Sequence, residues 1–145
     1  MYKTILVPID VSEDALTDLV IPHVNAIQKL NDAEVHFLAV TAPISNYLRY
    51  GGTILPSDFP DEEKQAEVIL DELKEKVKRF SIPENKIHVT SSVGSVKDEI
   101  LAIAEEINAD LILIGSRHPS MSTYLLGSNA ASVVRYAKTS VLVVR

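Results

Sequence analysis

Two kinds of hydrophobic pattern alternate along this chain. Short runs rich in aliphatic and β-branched residues occur at positions 4–7, 33–40, 86–90, 111–114 and 140–144, and they read TILV, AEVHFLAV, KIHVT, LILI and SVLVV. Runs that are apolar on both faces are typical of strands buried within a parallel sheet. The pattern therefore predicts five strands, with His36 at the core or its boundary and His88 facing solvent.

The segments between these runs space their apolar residues three and four positions apart, as one face of an α-helix does. They predict helices after Ser12, over positions 61–80, after Ser95, and from about 128 to 138. Ser12 is expected to cap the first helix, and Pro22 to kink it or divide it in two. The expected core-facing residues are Leu16, Leu19, Val20, His23, Val24, Ile27, Leu30, Ala66, Ile69, Leu70, Leu73, Val77, Phe80, Val96, Ile100, Ile103, Ala104 and Ile107.

The predicted order is β-α-β-α-β-α-β-loop-α-β. Strands that alternate with helices of this size indicate right-handed βαβ crossovers and a parallel sheet. We expect one α/β domain over residues 1–145, with a doubly wound, open sheet of five strands in the order 3-2-1-4-5 and helices on both faces. Strands one and four would then flank the switch point of the sheet, where ligands bind outside the carboxyl ends of the strands.

Two loops meet at that switch point. Gly115 ends the fourth strand and Gly127 precedes a helix, and the free N–H groups and dipole of a helix N-terminus favour an anion such as phosphate. Gly115 either lets the backbone approach a ligand or adopts a positive φ. Ser116, Arg117 and His118 follow it and add a fixed positive charge and side-chain donors.

The other loop, Pro8-Ile9-Asp10, ends the first strand. Asp10 is a candidate to accept from a ribose hydroxyl or to hold Mg²⁺ that accompanies a nucleotide; its alternative role is to cap the next helix. Ser128 and Asn129 likewise either cap the last helix or bind phosphate oxygens. Val40, at the end of the second strand, packs on a base or simply in the core.

Composition narrows the function classes. There is no Cys, so disulfides, thiolate metal sites and Cys nucleophiles are excluded. The net charge is −6 without a basic run, which argues against nucleic acid and anionic membranes as partners, and no apolar run is long enough to span a bilayer. The N-terminus has no leader-like pattern, so a cytoplasmic location is expected. No known nucleotide-loop or hydrolase motif occurs, and no base accompanies a nucleophile.

Two segments suggest contacts with other chains. The last strand, SVLVV, is apolar and carries no Pro or inward charge, and an open edge of this kind favours pairing with a second copy around a two-fold axis. The stretch from about position 41 to 60 holds Tyr47, Tyr50, Gly51 and Gly52. It is either a functional lid or assembly surface, which would allow a higher oligomer, or a mobile insertion.

Four stretches resemble the universal stress protein family, in its small single-domain bacterial type. They are KTILVPIDVSE, AEVHFLAV, VGSVKDEILAIAEE, and ADLILIGSRH followed by LLGSNAASVVRYAKTSVLVVR, and together they span nearly the whole chain. The resemblance implies a five-stranded doubly wound domain, a homodimer and, in one branch of the family, ATP binding.

The ATP-binding branch carries Gly-x-x-Gly, nine further residues and then Gly-Ser or Gly-Thr. Gly115 matches the first glycine, and Gly127 and Ser128 match the final pair, with Asn129 next in the helix. The resemblance also implies that Pro8, Ile9 and Asp10 contact the base and ribose, and that Val40 contacts the adenine.

The loop after Gly115 departs from this motif. His118 stands where the middle glycine is expected, and the interval to Gly127 is one residue shorter. Either Arg117 and His118 replace the lost backbone donors, or the site is weak or empty. The first reading is a homodimeric ATP-binding stress-response protein with at most slow hydrolysis, and the second is a dimeric scaffold without nucleotide. The third, an ATPase or phosphotransferase that uses Mg²⁺ on Asp10, is disfavoured because no general base is evident.

Overall fold

The computed structural model describes residues 1–43, 61–116 and 127–145. Within them, one sheet contains five strands in the order β3-β2-β1-β4-β5, and all neighbouring strands are parallel. The strands are β1 (Thr4–Pro8), β2 (Glu34–Thr41), β3 (Ile87–Val93), β4 (Leu111–Gly115) and β5 (Ser140–Val144). The helices are α1 (Asp14–Asn31), α2 (Glu62–Val77), α3 (Val96–Glu106) and α4 (Ser128–Tyr136), with a short 3₁₀ turn at Glu84–Lys86. The predicted fold class and strand order are confirmed.

Alternating side chains of β1 supply two separate cores. Ile5 and Val7 face a layer built by α1 and α2, whereas Leu6 faces a layer built by α3 and α4. All three side chains are at most 1% exposed. Removing an aliphatic side chain of this size from water contributes roughly 1.5–3 kcal/mol. The central strand is thus buried on both faces, as a parallel sheet between helices requires.

The first helix differs from its prediction at both ends. The residue that precedes α1 is Glu13, without a side-chain capping bond, so the expected Ser12 cap is wrong. Pro22 does not divide α1, which continues on both sides of it. His23 is exposed and Leu30 is 85% exposed, so both were wrongly assigned to the core. Both residues lie beside the buried stripe of α1, which is formed by Thr17, Val20, Val24 and Gln28.

Strands β2 and β3 run further than their apolar residues indicate. Thr41 pairs with Val93, and Gly94 N–H donates to Thr41 O at 2.8 Å. The sequence signal failed here because Ser91 and Ser92, which follow the predicted end at Thr90, are polar residues on an edge strand of the described sheet. His36 is half-buried and His88 is exposed, as expected. The interpretations placed on Tyr47, Tyr50, Gly51 and Gly52 lie outside the described residues.

Candidate functional site

The carboxyl ends of β1 and β4 open onto a cavity of about 320 Å³. These strands are direct neighbours, with Ile5 paired to Leu111 and Leu6 to Ile112, so this is the switch point of the sheet. Most of the candidate residues line the cavity: Pro8, Ile9, Asp10, Val40, Gly115, Gly127, Ser128 and Asn129. Ser116 does not belong to this lining; its N–H extends the sheet by donating to Val144 O at 2.7 Å. Arg117 and His118 lie outside the described residues.

The turn after β1 places one carboxylate at the cavity. Ile9 N–H donates to Leu38 O at 2.8 Å, and the Ile9 side chain is buried, which anchors the turn on β2. Asp10 is exposed, and its Oδ1 accepts from the N–H and hydroxyl of Ser12, at 3.0 and 2.6 Å. Asp10 therefore closes a local turn rather than capping α1. Its second oxygen, Oδ2, has no hydrogen bond to any described residue.

The structure gives a packing reason for glycine at position 115 that the sequence did not indicate. A Cβ at this position would lie 3.3 Å from Val20 Cγ1 and 3.5 Å from Leu16 Cδ2, both on α1. Its φ lies outside the left-handed region, so the alternative of a positive φ is wrong. The missing side chain allows α1 to pack closely against the end of β4. This packing brings the first turns of α1 to the cavity.

Helix α4 begins at the cavity wall. Gly127 precedes it with φ −58° and ψ 149° and makes no side-chain cap, and Ser128 and Asn129 are its first helical residues. Of the two alternatives for Ser128 and Asn129, the capping role is therefore wrong. The first backbone bond of the helix runs from Ala131 N–H to Gly127 O at 2.9 Å. The N–H groups of Ser128, Asn129 and Ala130 thus have no acceptor within the helix, and all three residues line the cavity.

One side of the cavity is apolar. Leu38, Ile100 and Ile114 belong to the core between the sheet and helices α3 and α4, and Val40 and Val96 pack against it. All five residues also line the cavity. Val40 therefore takes part in core packing and borders the cavity, so its two proposed roles are compatible. An aromatic or other flat apolar group would fit such a wall.

The charges around the cavity are unequal. Among the described lining residues, the charged ones are Asp10 and Glu13, and both are acidic. Positive potential in this part of the chain comes instead from the N-terminus of α4. No three His, Asp or Glu residues within the described ranges are placed to hold a metal ion together. A divalent cation there would need ligands from a bound molecule in addition to Asp10.

The sequence did not reveal that α1 contributes to this cavity. Glu13, Leu16, Thr17 and Val20 line it as well. Thr17 is three positions before Val20 and seven before Val24, and this spacing places it on the buried stripe of α1. The sequence signal that could have identified Thr17 was a polar residue on an otherwise apolar helical stripe, shortly after the Pro8-Ile9-Asp10 loop.

The family follows from the whole chain. Residues 1–145 match the model of the universal stress protein family. The chain belongs to this family. A relative from Escherichia coli O157:H7, Universal stress protein G, is 40% identical over 146 residues, and the alignment covers all of both chains. In the described residues of this family member, no helix is both long and apolar enough to cross a membrane.

Solved structures of universal stress proteins share the fold. A universal stress protein in complex with cAMP is 25% identical with a TM-score of 0.66, and the match covers 99% of this chain and 97% of that one. A universal stress protein from Archaeoglobus fulgidus in complex with dAMP is 19% identical with a TM-score of 0.57, covering 99% and 98%. The second likeness supports the fold alone.

Proposed function

We propose that this universal stress protein binds ATP, together with Mg²⁺, and acts as a homodimeric cytoplasmic stress-response module. One observation carries the proposal: the N-terminus of α4 and the Asp10 turn border the same cavity. A helix N-terminus binds phosphate oxygens through its free N–H groups and its dipole. The Asp10 carboxylate binds hydroxyl groups or a cation, so the two elements together suit a nucleotide.

The apolar wall and a structural neighbour favour an adenine nucleotide. Val40 and Val96 offer a surface for the flat face of a base. The neighbour at 25% identity binds cAMP, which is an adenine nucleotide with one phosphate group. We propose the same ligand class here, bound through Pro8, Ile9, Asp10, Val40, Gly115, Gly127, Ser128 and Asn129.

The acidic lining favours Mg²⁺ as a companion of the triphosphate. ATP carries several negative charges, and Asp10 and Glu13 would repel them. Mg²⁺ is usually bound by one or two carboxylates together with substrate phosphates. Oδ2 of Asp10 is the oxygen that we assign to this role. Because no base stands beside a nucleophile in the sequence, we expect hydrolysis to be slow at most.

Titration of ATP into the purified protein, with and without Mg²⁺, tests the proposal. The protein is first unfolded and extracted to remove any bound nucleotide, and the extract is assayed for adenine. Gly127→Val places a branched side chain beside the phosphate position and should abolish binding. Ala131→Val, an exposed position one turn along α4, is the matched control and should bind as the wild type does. Absence of binding up to millimolar ATP, with no nucleotide in the extract, would contradict the proposal.

The Asp10→Asn variant distinguishes a role of Asp10 in binding Mg²⁺ from a role in binding a sugar hydroxyl. The amide oxygen still accepts the two bonds from Ser12, and the amide NH2 can donate to a hydroxyl group, but the charge that attracts Mg²⁺ is lost. We expect this variant to bind free ATP at least as well as the wild type and to lose most of the gain in affinity that Mg²⁺ provides. If Mg²⁺ raises the affinity for ATP equally in both proteins, Asp10 does not bind the metal ion.

The open edge of β5 favours a second candidate function. β5 pairs only with β4 in the described sheet, and its residues 141–143 are half-buried. A dimeric scaffold that uses this edge and binds no nucleotide is therefore the alternative. Dimer formation without nucleotide binding would favour the scaffold.

A further inference from the structure

Thr17 presents an unexplained polar group in the wall that α1 gives to the cavity. The residue is 1% exposed, and its hydroxyl oxygen Oγ1 has no hydrogen-bond partner. Its neighbours in this wall, Leu16 and Val20, are apolar. The large majority of buried polar side-chain atoms in proteins are hydrogen-bonded, so an unpaired one requires a reason.

The helix itself offers no partner for this hydroxyl. A helical Thr normally donates to the carbonyl four residues earlier, which here belongs to Glu13. That carbonyl already accepts from the N–H groups of Leu16 at 3.1 Å and Thr17 at 3.3 Å. A carbonyl oxygen has two lone pairs, and both are occupied. Oγ1 has no bond to the carbonyl of Asp14, three residues earlier, either, and because Thr17 lines the cavity a bound molecule there is the remaining partner.

We propose that Thr17 Oγ1 hydrogen-bonds to an uncharged polar group of the bound nucleoside, either a sugar hydroxyl or a base amine. This inference rests on the proposed function. The phosphates belong at the N-terminus of α4, and α1 lies on the opposite face of the sheet from α4. With the flat face of the base against Val40 and Val96, the sugar or the edge of the base is the part of the ligand left to face α1.

The chemistry of the surroundings selects an uncharged group. Leu16 and Val20 provide no countercharge, and burial of an ion among apolar side chains is strongly unfavourable. The charged lining residues, Asp10 and Glu13, are acidic and would repel an anionic group. A hydroxyl both donates and accepts, so it fits a sugar hydroxyl or an amine equally well. Thr17 is thus assigned as a residue that determines which nucleoside the cavity accepts.

Thr17→Val and Thr17→Ser form a matched pair for the test. Valine keeps the shape without the hydroxyl, whereas serine keeps the hydroxyl without the methyl group. We expect Thr17→Val to bind Mg²⁺-ATP about 3- to 10-fold more weakly, the range that one net hydrogen bond gives. Thr17→Ser should bind within about twofold of the wild type. In urea unfolding without nucleotide, Thr17→Val should be at least as stable as the wild type, because it removes an unpaired polar atom.

Nucleotide analogues distinguish the sugar from the base. The wild type and Thr17→Val are each titrated with 2′-deoxy-ATP, 3′-deoxy-ATP and inosine triphosphate, which lacks the base amine. The analogue that lacks the contacted group should bind both proteins equally. If Thr17→Val binds every analogue more weakly than the wild type by the same factor, then Thr17 contacts neither a sugar hydroxyl nor the base amine.

The remaining outcomes separate this inference from the proposed function. Wild-type affinity in Thr17→Val would overturn the inference and leave ATP binding intact. Reduced stability of the free Thr17→Val protein with unchanged affinity would assign the hydroxyl to a buried water. Failure of the wild type to bind any adenine nucleotide would overturn the proposed function itself.

Discussion

At the scale of single residues, close packing between α1 and the end of β4 shapes the wall of the cavity. Gly115 was selected for its possible contact with a ligand, but its missing side chain faces Val20 and Leu16 on α1. Thr17 was overlooked because a helical face is recognised from the spacing of its apolar residues, and a single polar residue on that face does not change the assignment. Which atoms lie opposite a backbone position depends on packing between segments far apart in the chain, and no local pattern contains that information.

Gly115→Val should destabilise the protein by about 1–3 kcal/mol, the usual effect of adding methyl groups to a close-packed position. The reason is the 3.3 Å approach of a Cβ to Val20 Cγ1. Urea unfolding measures the loss. Ala102→Val, at an exposed position of α3, is the control and should change stability by less than about 0.7 kcal/mol. A loss no larger than that of the control would contradict the close packing.

A stacked histidine pair predicts how stability depends on pH. The rings of His36 and His88, on neighbouring strands, lie 4.3 Å apart at 15°. Burial lowers the pKa of His36 below its usual 6.5, the charge of His88 lowers it further, and Glu34 partly opposes both. The unfolded chain therefore takes up this proton at a higher pH than the folded protein, and protonation favours unfolding.

The free energy of unfolding should fall as the pH drops through 6.5, and this loss should end below the folded pKa of His36. His36→Gln should remove this slope, whereas His23→Gln, at an exposed position of α1, should leave it unchanged. Urea midpoints between about pH 7.5 and about pH 5.5 cover the range around the usual histidine pKa. An unchanged slope in His36→Gln would assign the pH dependence to other groups.

At the scale of elements, the existence and order of strands and helices followed from periodicity, and their ends did not. The last strand was predicted with its observed bounds because five apolar or small residues stand between clear boundaries. β3 was predicted too short because Ser91 and Ser92, which follow its predicted end, are polar, and their pairing depends on β2. Helix starts depend on individual hydrogen bonds. Ser12 has the right chemistry for a cap but donates to Asp10 instead.

Helix α2 has a side-chain cap that can be tested. Asp61 Oδ1 accepts from Lys64 N–H at 2.8 Å and satisfies a backbone donor in the first turn. Asp61→Ala should cost about 0.5–2 kcal/mol in urea unfolding, and Asp61→Ser should recover most of this. Asp71→Ala, an exposed position within the same helix, should not destabilise the protein. Equal stability of Asp61→Ala and the wild type would show that the cap contributes nothing.

At the scale of the whole molecule, topology was the most predictable property, because right-handed crossovers leave few arrangements for alternating strands and helices. The strand order then brought Pro8 and Gly115 to one cavity, although they are separated by most of the chain. The assembly of the protein was harder to predict from the sequence, since an open apolar edge indicates pairing without identifying the partner.

The proposed dimer should dissociate when the β5 edge is charged. Lysine is the residue most often used to keep edge strands apart, and Val143 lies half-buried on β5. We expect the wild type to sediment at twice 15.9 kDa and Val143→Lys at 15.9 kDa. Val68→Lys adds the same charge at an exposed position of α2 and should remain dimeric. A wild type of 15.9 kDa at high concentration would contradict the proposed dimer.

The strand that is synthesised first is the middle strand of the sheet. β1 pairs with β2, which follows soon after, and with β4, and Lys3 N–H donates to Asp110 across 107 positions of sequence. During translation, β1 and β2 leave the ribosome long before β4 is made. One edge of β1 therefore stays unpaired in the nascent chain, and an open apolar edge is prone to aggregate. The middle strand of the finished sheet is thus the one with an edge that stays unpaired for longest during synthesis.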